Sequence, residues 1–375
     1  MTKTFIGFQR SILGGALLSY RQCEKSLDLF HLSWRAKVPF SFRPDSKFAL
    51  LAFDGIYSED LETESQLSDG TWLIPGIPTV TDLRSWEVWV GSHRADSLKR
   101  ANLVLLVDRE SNNPAVLDEE HIHLRNGLAQ LYSFLRFHQG VEISGSKEPD
   151  LLCGSHLQGE PMIRQMTKMA MFYESKGYRR APVTKERLEE ALQLRSGLHA
   201  MQKTDEFQRI FRGIDVLFDR LKATGQNRLH QFVRSLEALI LPDTGKTRKQ
   251  FIHRCQTFAS PGAATEAILR EAFDMRSDAE HLHSWERAVM SYPKTERDDV
   301  CWQRTRQMQF LACDAYTKIL LHPDIGNYFR TEQTLENFWK LGDQGTRSIW
   351  GKPVDLAREV RHSMYDQFGR PISAD

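Results

Sequence analysis

The apolar positions divide the chain in two. Before about residue 145, short apolar runs alternate with turn residues. Residues 48–53 (FALLAF), 86–90 (WEVWV) and 102–107 (NLVLLV) are rich in aromatic and aliphatic side chains, with Gly, Pro, Asp and Ser around them. Runs of this length predict strands, two of them buried on both faces. Loops at 68–70 and 75–78 punctuate them. Between 118 and 138 the spacing turns helical, with Leu124, Leu128, Leu131 and Leu135 on one face. The polar segment 143–150 (ISGSKEPD) predicts a boundary.

Beyond about residue 160 the strand signals end. Thr184 precedes a charged helix over 185–195. Thr204, as an N-cap followed by Asp205 and Glu206, opens a helix striped by Phe207, Ile210, Phe211, Ile214, Leu217, Phe218 and Leu221. A second helix runs over 227–241, with Leu229, Phe232, Val233, Leu236 and Ile240 inward, and stops at Pro242. A third covers 247–258. Ser260-Pro261 opens a fourth, which holds Ile268, Leu269, Ala272 and Phe273. A fifth spans 296–321 and ends before Pro323. The predicted fold class is α+β: a mixed α/β domain over 1–145, a helical connector over 146–199, an all-α antiparallel bundle over 200–345, and a tail or peripheral helix over 346–375.

Composition narrows the function classes. Lys plus Arg number 50 against 49 for Asp plus Glu, so no global basic excess draws nucleic acid, and an anionic partner needs a local patch. The five cysteines Cys23, Cys153, Cys255, Cys301 and Cys313 are scattered and unpaired in sequence, which disfavours a disulfide framework or structural zinc and suits a reducing compartment. The apolar run over 12–18 is too short for a secretory leader, and no stretch reaches transmembrane length. A cytoplasmic protein without a membrane partner is expected.

Two charges fall on inward faces. Arg276 lies three and four residues after Phe273 and Ala272, and Glu237 lies between Val233 and Ile240 at helical spacing. Buried charges demand partners, so an internal ion pair between neighbouring helices is predicted.

The stretch Arg228 to Leu239 (RLHQFVRSLEAL), then Phe251 to Cys255, then Phe273-Asp274-Met275-Arg276 to His281, resembles the HEPN superfamily, nearest to the branch of ApeA-like defence proteins. The family signature is Arg, four to six residues, then His; Arg276 and His281 fit with four between, and about 140 residues share the likeness. The resemblance implies a metal-independent endoribonuclease with no cofactor. Two chains would form a homodimer with both Arg–His pairs in one cleft, where the ribose 2′-OH attacks the adjacent phosphate. It further implies a defence effector or toxin acting on RNA, restrained by an N-terminal domain that takes a regulatory partner protein or ligand. The alternative is a catalytically silent module that binds nucleotide or a partner protein. Histidine moves protons near neutral pH, and arginine stabilises a phosphorane with paired donors. Ser277 and Asp278 follow the arginine where active members often carry Asn, Asp or His, and Leu282 stands where glycine often follows the histidine. Five residues along an ideal helix turn about 140°, whereas His283, seven from Arg276, falls almost in line with it.

Other signals carry less. Arg248 to His253 also reads Arg-x4-His, but in the third helix. Gly245-Lys246-Thr247 lacks the first glycine and the strand of a P-loop, since Ile240 stands at the glycine position. His121 and His123 after Asp118, Glu119 and Glu120 read as a solvated polar face rather than a metal site. Lys176, Arg179 and Arg180, with Tyr173 and Tyr178, form a small basic patch suited to guiding RNA.

Overall fold

Eight consecutive buried residues make up most of β1 (Ser46–Asp54), which places it at the centre of a sheet rather than at an edge. The computed structural model describes residues 40–54, 56, 62–78, 83–137, 148–158, 160–169, 183–219 and 225–358. Around β1 it assembles β2 (Ser65–Gln66), β3 (Trp72–Ile74), β4 (Ala101–Glu110), β5 (Asp150–Leu157) and β6 (Glu160–Lys168). Their order is β2-β3-β4-β1-β5-β6, with every pairing antiparallel. Two short helices, α1 (Leu83–Val90) and α2 (Ser92–Lys99), precede β4, and α3 (Glu119–Leu135) follows it.

Alternate β1 residues serve different cores. Phe48, Leu50 and Ala52 pack with Trp86 of α1 and with Val104 and Leu106. Ala49, Leu51 and Phe53 pack with Leu124, Leu128, Leu131 and Leu135 of α3. That second core continues through α4 (Lys185–Gln202) into the helical half. There follow α5 (Gln208–Asp219), α6 (Gln226–Ile240), α7 (Thr247–Arg254), α8 (Ala263–Glu280), α9 (Arg297–Leu321), α10 (Pro323–Gly326), α11 (Glu332–Lys340) and α12 (Gly342–Trp350). The inward stripe of α6 is buried as its periodicity predicts, and α6 packs against α5, α8 and α9. Gly213 lets α5 come close: a Cβ there would lie 1.7 Å from the hydroxyl of Tyr316, which donates to Ser235 O of α6 at 2.8 Å.

Several elements differ from expectation. Residues 86–90 are helical, not a strand. Leu83, Trp86 and Val90 face the core at i, i+3 and i+7, a period too long to appear in a five-residue window; Trp86 Nε1 donates to Pro161 O at 2.8 Å. The stretch predicted as a helical connector holds β5 and β6. Polar Ser155 and His156 end the apolar run of β5, and β6 is an edge strand with few buried positions, so neither shows the pattern of a buried strand. Thr204 does not cap α5: its hydroxyl donates to Met201 O at the end of α4, and Phe207 enters α5 with φ +61°. The cap of α8 is Gly262, not Ser260, whose N–H instead donates to Val354 O at 2.7 Å. The segment expected as a tail or peripheral helix is helical through Trp350 at the end of α12, with Trp350 and Leu356 buried.

Candidate active site at the end of α8

Desolvation decides where the helical half can hold charge. Arg276, on the last turn but one of α8, leaves its side chain 16% exposed, and so does Glu237 on α6. Arg276 Nη2 meets Glu237 Oε2 at 3.3 Å, as the two inward charges predicted. Nη1 donates to Glu280 Oε2, one helical turn further along α8, and the guanidinium lies 5.7 Å from the centroid of the Phe273 ring. Burial raises the Glu237 carboxyl above its ordinary range; Arg276 pulls it down and Glu280 pushes it up. Arg276 Nε and Glu237 Oε1 are buried without a hydrogen-bond partner among the described residues. Cys255, also under the field of Glu237, is fully buried, and burial first and that carboxyl second hold its thiol protonated.

Glu280 has a second partner that the sequence reading passed over. Its Oε1 lies 2.9 Å from Nε2 of His230 on α6. The signal was available: His230 precedes Glu237 by seven residues, two turns on one helix, and Glu280 follows Arg276 by four.

His281 and His283 lie beyond the helix. Leu282 sits in the left-handed region at φ +60°. Its N–H donates to Ala279 O at 3.2 Å, and that of His283 to Asp278 O at 2.8 Å. This pair of bonds is a Schellman closure, with leucine at the position glycine usually takes. The chain reverses there, so neither the 140° offset of His281 nor the alignment of His283 on an ideal helix applies. Both histidines are exposed, with ring centroids 6.5 Å apart. Ser277 is half-buried, and the Asp278 carboxylate faces Arg287 Nη1 at 3.8 Å. Arg248 and His253 go separate ways: Arg248 forms a two-point pair with Asp274 at 2.6 and 2.7 Å, and His253 faces Asp343 at 3.2 Å. Lys176, Arg179 and Arg180 lie outside the described residues.

Further polar clusters among the described residues include one in each half. Between α8 and α9, buried Arg304 donates to Glu271 (2.7 Å), Gln307 (3.0 Å) and the hydroxyl of Tyr292 (3.1 Å). In the sheet, Lys47 is 1% exposed and binds Asp118 at 2.6 Å and Glu120 at 2.8 Å. Burial opposes the ammonium, but the two carboxylates outweigh it and hold it charged above its ordinary value. Glu119, Glu120 and His123 form the solvated face expected of this segment, and His121 alone turns inward. His121 is buried, its Nε2 3.1 Å from both Gly154 O and Ser155 Oγ, and burial first, then Lys47, favour its neutral form. Among the described residues, no group of three or more His, Cys, Asp or Glu is arranged to hold a metal, and no helix is long and apolar enough to cross a membrane. Comparison with known proteins found no matching family model, no similar curated protein and no matching solved structure.

Proposed function

We propose that the chain is a metal-independent endoribonuclease of HEPN type, an effector or toxin of a prokaryotic defence system acting as a homodimer. In this reading Arg276 and His281 form the catalytic pair, supported by Glu237, Ser277, Asp278 and His283. The N-terminal half restrains or senses, through a partner protein or ligand. The observation that carries the reading is the state of Arg276. It lies on the last turn but one of α8, oriented by Glu237 and Glu280, and the reversed turn that ends the helix carries the exposed His281 and His283. A guanidinium placed this way suits the charge that develops on a phosphorane. Activity is tested by incubating the protein with mixed RNA in EDTA. Cleavage that persists, and that Arg276→Ala and His281→Ala each abolish without unfolding, is the expected result. Cleavage lost on chelation would sink the mechanism.

One observation favours the other reading, a silent module that binds nucleotide or a partner protein. Two carboxylates already occupy Arg276, and a phosphate must compete with them. Variants at Arg276 and His281 that cut RNA as well as wild type would leave that reading standing.

A further inference from the structure

Attack by a 2′-hydroxyl needs two proton movements, one off the nucleophile and one onto the leaving oxygen. The signature of Arg276 and His281 supplies one imidazole per chain. Besides His281 and His283, one imidazole is tied directly to the guanidinium: the Glu280 carboxylate joins His230 to Arg276, with Glu280 Oε1 facing His230 Nε2 at 2.9 Å and Oε2 accepting from Arg276 Nη1. A carboxylate only accepts hydrogen bonds, so the proton of a neutral His230 ring sits on Nε2 and the Nδ1 lone pair is left as an acceptor. The His230 side chain is 20% exposed, so the ring is not sealed in the core. The same helix α6 carries Glu237, which holds the other side of Arg276.

We propose that His230 is the proton acceptor of this site and Glu280 its positioning residue, with the ribose 2′-hydroxyl of RNA as the donor. The inference rests on the endoribonuclease reading and deepens it. The 2′-hydroxyl proton passes to His230 Nδ1 as the oxygen bonds to phosphorus. The bond from phosphorus to the 5′-oxygen breaks, and that oxygen takes a proton from His281. The products are a 2′,3′-cyclic phosphate and a 5′-hydroxyl end. Charge on the phosphorus oxygens falls to the exposed edge of the Arg276 guanidinium, whose side chain is 16% exposed.

Two measurements on the full chain test this. The first is the ¹⁵N shift of the His230 ring at about pH 8.5, roughly two units above the ordinary imidazole value. Wild type should show the Nε2-protonated tautomer, and Glu280→Ala a mixture of both. The second is RNA cleavage by His230→Gln, expected to lose on the order of 10²–10⁴ in kcat with KM little changed. Glu280→Ala should lose less than His230→Gln, and a 2′-O-methyl nucleotide at the cut should block wild type. His230→Gln cutting within twofold of wild type would overturn the role. A tautomer unmoved by Glu280→Ala would overturn the positioning alone. A wild type inert toward RNA would overturn the proton-acceptor role together with the endoribonuclease reading, while the tautomer would still report whether Glu280 orients the ring.

Discussion

Helix α8 carries two arginine–glutamate clusters of the same residue types, and they are built differently. Toward α9, Glu271 meets Arg304 in a closed network. Each guanidinium nitrogen has an acceptor, Tyr292 also donates to Glu271 at 3.3 Å, and Gln307 Nε2 continues to Leu356 O at 3.3 Å. Toward α6, Arg276 meets Glu237 and Glu280, but its Nε and the Oε1 of Glu237 have no partner among the described residues. A saturated buried network has no capacity left for a ligand and acts through structure. The unsaturated one leaves two buried polar atoms without a partner among the described residues, which costs stability and marks it as less committed to holding the fold.

The largest expected effect breaks the comparison at its closed end. Arg304→Ala leaves Glu271 buried and uncompensated, and should cost roughly 3–5 kcal/mol. Arg276→Ala strips its charge partner from Glu237, which is as shielded as Glu271 (16% against 17% exposed) but whose carboxyl burial already pushes toward the protonated form, and should cost less, about 1–3 kcal/mol. Chemical denaturation of both variants measures the gap. Equal losses would mean that Arg276 is as structural as Arg304.

A second substitution tests how far the site depends on the placement of α6. In Gly213→Ala the new Cβ collides with the Tyr316 hydroxyl, and the bond to Ser235 O is strained or lost. Overpacking of this kind costs about 1–3 kcal/mol. Because Ser235 lies two residues before Glu237, cleavage should fall along with stability. Gly197→Ala is the control: it drives a Cβ to 2.3 Å from Leu320 O, on α9 and away from Glu237. It should destabilise with less effect on activity.

How much of this was legible in the sequence depends on whether the signal is local. The stripes of α3 and α6 and the start of α4 after Thr184 are local signals, and the structure holds them. The inward placement of Glu237 and Arg276 came from the same spacing, and so did their contact. Lys47 could not be seen. A lysine at the start of an apolar run looks like a strand end, and its burial depends on Asp118 and Glu120, more than seventy residues away. Arg304 is hidden for the same reason, since its partners come from three segments. The short run 86–90 and the edge strand β6 failed in a different way: too few residues for a period in one, too little burial for a pattern in the other.

The open cluster also carries a pH signature. Burial raises Glu237 above the carboxylate it would be in an unfolded chain, so folding favours its protonated form. The sign follows from linkage. Its contribution is fully present below the unfolded value of about 4.3 and is lost as pH rises through the raised folded value. Glu237→Gln keeps the shape without the charge and should escape that loss. It should therefore melt above wild type at pH 7, by a margin that shrinks toward pH 4, and cut RNA more slowly because Arg276 loses an orienting partner. Thermal melts across that range decide it. A variant that melts lower at pH 7 would show that attraction to Arg276 outweighs the cost of burial.

The smallest expected effect concerns the turn that ends α8. Leu282 is 94% exposed and holds φ +60°, so it contributes little packing while its Cβ strains the backbone. Replacing it with glycine removes a left-handed penalty of about 1–2 kcal/mol, offset by roughly 0.5–1 kcal/mol from the greater freedom of an unfolded glycine. Leu282→Gly should gain about 0.5–1 kcal/mol net. Leu282→Ala separates the causes, because alanine keeps the strained Cβ and loses only exposed surface, so its stability should stay near wild type. The closure bonds to Asp278 O and Ala279 O do not depend on the side chain, so His281 and His283 should keep their places and cleavage its rate. If glycine stabilises the fold but slows cleavage, the rigidity of leucine in this turn matters to the site. If alanine and glycine gain equally, the strain lies elsewhere than at Leu282.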